Sequence, residues 1–181
     1  MRLFQDKTLA VMIDMQDRLI PAMSRKAELL EKTRILLSGL KLLEIPVIVT
    51  QQYTKGLGQT ESSLREILGS EDYVEKITFS CFREAAFRDA LAAYPGREQI
   101  LVFGVEAHVC VLQTVLDLQE DGYDTMVVTD CVDSRKSEDM KIALRRMESD
   151  GAALTTAESC LFELTERAGS DLFKQISRLV K

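Results

Sequence analysis

Short apolar runs alternate with helical patterns along the whole chain, and this alternation constrains the fold more than any other feature. The runs 8–14, 46–51, 73–77, 98–104, 124–129 and 151–155 read as strands. Helices are expected near 25–44, 60–69, 83–94, 108–122 and 137–149, with two more at 157–166 and 170–180. Strict alternation of this kind implies a parallel sheet with helices packed on both faces. Helix 25–44 carries Leu29, Leu30, Leu36, Leu37, Leu40 and Leu43 at helical spacing, and Pro46 opens the strand that follows. The last helix sets Leu172, Phe173, Ile176, Leu179 and Val180 on one face behind a Ser170 cap.

In such a sheet, ligands bind beyond the carboxyl ends of the strands, where the strand order reverses. Three chemically able residues fall at strand ends. Asp14 closes the first apolar run, Lys76 sits in Tyr73-Val74-Glu75-Lys76-Ile77, and Cys110 follows the Gly-ended run Gln99 to Gly104. If the first and fourth strands are neighbours, Asp14 and the segment leading to Cys110 share one crevice. A thiol at a strand-to-helix junction lies near free backbone N–H groups and the positive end of a helix dipole, which favours the thiolate. An acid, a base and a thiol together suggest a cysteine hydrolase.

Each residue also has a plainer reading. An isolated cysteine in an apolar helix is usually a small buried hydrophobe, and Cys81, Cys131 and Cys160 fit that description. Asp14 alone reads as a cap. Lys76 would share a strand face with Val74 and Thr78; if it is buried it needs an anion, and Asp14 is the natural one. His108 stands two positions before Cys110, so on a helix it would not face the thiol, and it reads as a pocket-lining or capping residue.

Composition removes several classes. With 181 residues the chain reads as a single domain over 1–181, and 46% hydrophobic with 29% charged residues is ordinary for a globular protein. A net charge of −6 argues against a nucleic-acid partner. No apolar stretch would cross a membrane, and the first residues lack a signal-peptide core, so a cytosolic location is expected. The four cysteines form no C-x-x-C pair, and with a single histidine no metal site and no cofactor are expected. Gly56-Leu57-Gly58 begins like a dinucleotide fingerprint, but Glu61 stands where its third glycine belongs, and the segment reads as a mobile loop. Asp14-Met15-Gln16 lacks the second acid that a magnesium-dependent phosphatase or a receiver domain would use.

Gly104-Val105-Glu106-Ala107-His108-Val109-Cys110-Val111-Leu112-Gln113-Thr114, taken with Asp14-Met15-Gln16 and Lys76, resembles the isochorismatase-like cysteine hydrolase superfamily over nearly the whole chain. The tracts Gln52-Tyr53-Thr54-Lys55-Gly56-Leu57-Gly58 and Leu154-Thr155-Thr156-Ala157-Glu158-Ser159 resemble most the small isochorismatase-domain-containing proteins. The resemblance implies an α/β/α sandwich, a three-layer arrangement around a six-stranded parallel Rossmann-like sheet of order 3-2-1-4-5-6. It also implies an Asp14–Lys76–Cys110 triad and a non-proline cis peptide at Val105–Glu106. That bond would turn backbone N–H groups, with that of Cys110, toward a developing oxyanion. Gln16, Gln52, Tyr53, Phe82 and His108 become candidates for the pocket wall, a small molecule becomes the expected substrate, and a homo-oligomer the expected assembly.

Departures from the pattern sharpen the expectation. A single histidine cannot supply the Asp-x-His…His metal site of nicotinamidases. Isochorismatases proper lack the nucleophilic cysteine. Cys110 therefore favours acyl chemistry on a small amide or carbamoyl compound, through a thioester. The other readings are hydrolysis of an ester or nitrile, thiol redox sensing with a Cys110 sulfenate held by Glu106, and a non-catalytic binding protein.

Overall fold

The computed structural model describes residues 1–181. Six parallel strands, β1 (Thr8–Ile13), β2 (Val47–Gln52), β3 (Val74–Lys76), β4 (Gln99–Val105), β5 (Asp124–Asp133) and β6 (Ala153–Thr155), form one sheet of order β3-β2-β1-β4-β5-β6. This is the doubly wound order, and it reverses between β1 and β4. Every residue of β1 and β4 is buried, as continuous apolar strands covered on both faces require.

Helices α1 (Lys26–Leu42), α7 (Ala157–Thr165) and α8 (Asp171–Leu179) pack together on one face. On the other lie α4 (Ala85–Ala92), α5 (Leu112–Glu120) and α6 (Ser137–Asp150). Gly39 lets α1 approach α7, since a Cβ there would run into the Leu161 side chain. The Ser170 hydroxyl accepts the Phe173 N–H at 3.0 Å as the expected cap, and Phe173 stacks on Phe162 with ring centroids 6.0 Å apart. One cluster of 46 buried apolar residues runs through all three layers.

Three local features depart from the sequence reading. Strand β5 continues to Asp133 rather than ending at 129, with a shift in its pairing to β4 between Val102 and Gly104. The segment read as a loop contains a helical turn, α2 (Thr54–Leu57), because the N–H groups of Gly56 and Leu57 close on the Tyr53 carbonyl at 2.8 and 3.0 Å. Cys110 precedes the α-helix proper. It sits in a π-helical turn, Ala107–Val111, where the Val111 N–H reaches back five residues to the Glu106 carbonyl at 3.2 Å. The remaining short helix, α3 (Ser62–Leu68), is capped by Glu61, whose carboxylate accepts the Leu64 N–H at 3.2 Å.

Candidate active site

Strand register brings the candidate residues to one edge. Ile13 pairs with Thr50 of β2 and with Gly104 of β4, and Gln52 pairs with Lys76 of β3. Asp14 is therefore the first residue beyond the sheet at its switch point. It leaves β1 at φ 51°, in the left-handed region, where a short carboxylate side chain is better tolerated than most. Gly104, at φ 120°, has no substitute here, because a Cβ would collide with the Ile13 carbonyl oxygen.

Asp14 and Lys76 form a buried ion pair, Oδ2 to Nζ 2.6 Å, with both side chains shielded from solvent. The second oxygen, Oδ1, accepts the Thr50 hydroxyl at 2.8 Å. Lys76 also donates to Gln52 Oε1 at 2.6 Å and to the carbonyls of Thr78 and Phe79 at 3.3 and 3.2 Å. Burial disfavours the ammonium, but the charge of Asp14, its hydrogen bond and the surrounding groups outweigh it and raise the Lys76 pKa. Lys76 is thus held charged by its surroundings.

Cys110 lies close enough to the Asp14 carboxylate for that charge to act on its thiol. Burial first, and Asp14 second, push the thiol pKa up, and Lys76 offsets this only in part. The expectation of a resting thiolate is thereby corrected: desolvation and the nearby carboxylate override the helix-end dipole, and the resting form near neutral pH is the thiol. Cys110 is also the one cysteine with measurable exposure, 7% against 0% for Cys81, Cys131 and Cys160.

The peptide bond between Val105 and Glu106 is cis. Val105 is buried, whereas the Glu106 side chain accepts two bonds from Arg135, from its backbone N–H and its Nε, both at 3.0 Å. The Glu106 carbonyl takes the N–H groups of Val109 and Val111, at 3.0 and 3.2 Å. Those of Ala107 and His108 have no acceptor within the chain and stand free at the start of the turn.

The expected pocket wall is only partly assembled. Gln16 is fully buried and spends both ends of its amide on backbone, accepting from Gln52 N and donating to the carbonyls of Gln52 and Gly58 at 2.8, 3.0 and 2.7 Å. Gln52 instead orients Lys76 and ties down Ile77 through a 2.8 Å bond to its carbonyl. Phe82 is turned toward Tyr123 past the far end of α5, with ring centroids 6.4 Å apart. His108 bonds Ser134 Oγ through Nδ1 at 2.9 Å and borders a separate cavity of about 100 Å³ against α6. Tyr53 alone is left half-exposed near the ion pair, beside exposed Ile77 and Phe79.

Sequence reasoning missed four contributors. Thr50 buttresses Asp14, and Thr114, one turn after Cys110, donates to the Cys110 carbonyl at 2.7 Å. Glu84 accepts the N–H groups of Ile77 and Thr78 and the Thr78 hydroxyl, closing the loop whose carbonyls hold Lys76; those bonds lower its pKa. Cys81, read as plain core, lies in this polar network, with its thiol 3.8 Å from Thr50 Oγ1. Only Thr50 and Thr114 carried a signal, the strand-end position and the i, i+4 spacing.

A doubly wound sheet with a buried Asp–Lys pair and a thiol at its switch point defines the class: an α/β protein with its candidate site at the strand ends. The isochorismatase domain model matches residues 8–159, and the chain belongs to that family. A secreted isochorismatase effector, Isc1, of Phytophthora sojae is 41% identical over 82% of this chain and 72% of its own. Isochorismatase domain-containing protein 1 of Salmo salar is 39% identical over 93% of this chain, which spans 59% of that protein's length. The solved structure of the MAR1 ribonuclease from Caenorhabditis elegans superposes with a TM-score of 0.91 at 34% identity, over 99% of this chain and 92% of that one. The chain thus has the family's α/β fold.

Proposed function

We propose that the protein is a cysteine hydrolase of a small amide or carbamoyl compound, working through Asp14, Lys76 and Cys110 and a thioester intermediate. The observation that carries this reading is the solvent-shielded 2.6 Å Asp14–Lys76 pair set against the partly accessible Cys110 thiol. A buried carboxylate with both oxygens fixed, by Lys76 and Thr50, is oriented to take a proton from the thiol near it.

Because the resting sulfur is a thiol, proton transfer and attack occur together. Asp14 accepts the thiol proton as Cys110 Sγ bonds to the carbonyl carbon, and the pair electrons move to the carbonyl oxygen. The Cys110 N–H and an N–H beside the cis peptide are donors for that oxyanion, with the free N–H groups of Ala107 and His108 at the same turn; one such donor is worth about 3–4 kcal/mol. Collapse breaks the C–N bond, and protonated Asp14 gives its proton to the departing amine. Water, deprotonated by Asp14, then attacks the thioester, releasing the acid and restoring the thiol. Lys76 stays charged throughout and keeps Asp14 in place.

The same machinery would open an ester or a nitrile. A cytosolic setting belongs to this reading, since all four cysteines are free and a reducing compartment keeps thiols reduced. No helix is long and apolar enough to cross a membrane. A homo-oligomer remains part of the proposal and is read directly by light scattering on the eluted protein.

An ammonia-release screen over small amides and carbamoyl compounds, run beside Cys110→Ala, tests the assignment. Release that depends on Cys110 supports it. Release unchanged in the variant, or hydrolysis of RNA that Cys110→Ala abolishes while no small amide is cleaved, overturns it.

A further inference from the structure

Of the three buried thiols that the mechanism leaves unused, one adjoins the ion pair. Cys81 opens the turn after β3, fully enclosed, yet its neighbours are polar. Its thiol points to Thr50 Oγ1 at 3.8 Å, and that hydroxyl donates to Asp14 Oδ1 at 2.8 Å. Sulfur, hydroxyl and carboxylate thus form a continuous path for a proton. Asp14 is wired to two thiols, to Cys110 by proximity and to Cys81 through Thr50.

A second link joins the two cysteines through their backbones. The Cys81 N–H donates to Thr114 Oγ1 at 2.9 Å, and the same hydroxyl donates to the Cys110 carbonyl at 2.7 Å. One buried side chain therefore holds the turn of Cys81 against the turn of Cys110. Both thiols also lie near enough to the Lys76 ammonium to act on it. Cys131 and Cys160 have no such connection to Asp14 or Lys76.

We propose that Cys81 is the resolving partner of Cys110, so that peroxide converts this site reversibly into a Cys81–Cys110 disulfide. Exposure orders the steps, because Cys110 keeps 7% of its surface open to solvent and Cys81 none. The Cys110 sulfur attacks the peroxide oxygen, the O–O bond breaks, and Cys110 sulfenic acid forms with release of water from hydrogen peroxide. The Cys81 sulfur then attacks the sulfenic sulfur. Its proton passes through Thr50 to Asp14 and on to the departing hydroxide, which leaves as water. A dithiol reductant supplies the two electrons that restore both thiols. The modification occupies the proposed nucleophile, so it stops turnover without harming the rest of the site.

The proposal needs Cys110 only as a reactive thiol, and its readout is mass, so failure of the amide screen leaves it standing. Folded protein is treated with hydrogen peroxide, blocked with N-ethylmaleimide, and digested without reduction. The expected product is a Cys81–Cys110 linked peptide pair that dithiothreitol separates, with Cys110 labelling restored. In Cys81→Ser and Cys81→Ala, each checked for native circular dichroism, Cys110 should advance to the sulfinic acid and dithiothreitol should restore nothing. Oxidised Cys110 beside unmodified Cys81 in the wild-type protein, or full recovery in both Cys81 variants, overturns the assignment.

Discussion

Lys76 Nζ and Asp14 Oδ2 lie 2.6 Å apart with neither side chain open to solvent, although the two residues are 62 positions apart in sequence. The pair is only as good as the acceptors around it. Gln52 and the carbonyls of Thr78 and Phe79 satisfy the ammonium, and Thr50 satisfies the carboxylate, so neither charge is left bare.

Removing one partner should therefore cost far more than removing both. Lys76→Met leaves a buried carboxylate without its counter-charge, at about 3–5 kcal/mol. The double variant Asp14→Leu, Lys76→Met should recover much of that loss in urea unfolding. An additive double variant would show that the ion pair does not couple the two strands.

Cys110→Ala is expected to end turnover while keeping the fold. The side chain is small, and its loss should cost about 1 kcal/mol or less, on the scale of one methylene. Thermal denaturation beside the ammonia assay separates the two effects.

Alkylation should single out Cys110 by access rather than by acidity. Iodoacetamide is expected to label it first, because the other three cysteines are fully enclosed. The rate should keep climbing with pH above 9, since burial and Asp14 hold the thiol pKa above its ordinary 9.0. A plateau near neutrality would show a pre-formed thiolate and contradict the site's electrostatics.

Stability should fall on the alkaline side for the same reason. Burial pushes the Cys81 thiol up to about 12 from an ordinary 9.0, and Cys131 and Cys160 are also raised. Between those values the unfolded chain has released protons that the folded chain retains, so this contribution is complete below pH 9 and is lost as pH rises toward 12. Lys76, raised above 10.5, adds a loss at still higher pH. Urea midpoints should be level to about pH 8.5 and drop beyond it, and Cys81→Ala should flatten the drop.

Gly104→Ala should be the most damaging single methyl in the chain. It combines φ 120° with a direct collision against the Ile13 carbonyl where β1 meets β4. A loss of more than about 3 kcal/mol is expected. Gly122→Ala, at φ 92° with open space around it, isolates the backbone part of that cost.

The alternation of strand and helix, the apolar faces of α1 and α8, and the strand-end positions of Asp14, Lys76 and Cys110 were all legible in the sequence, because each depends on local periodicity. Order β3-β2-β1-β4-β5-β6 was legible only through resemblance, since pairing partners are set by which faces bury together and not by any one strand. Tertiary structure alone decided where the polar ends go. Gln16 and Gln52 looked free to bind substrate, but buried backbone and a buried ammonium claimed them. Phe82 and His108, near the site in sequence, are held by Tyr123 and Ser134, partners that only the fold supplies. Cys81 looked like one more core thiol until the crossover set it beside Thr50. The protonation of Cys110 follows the same rule: its helix-end position is written in the chain, but burial and the nearby charge of Asp14 arise only when distant segments fold together.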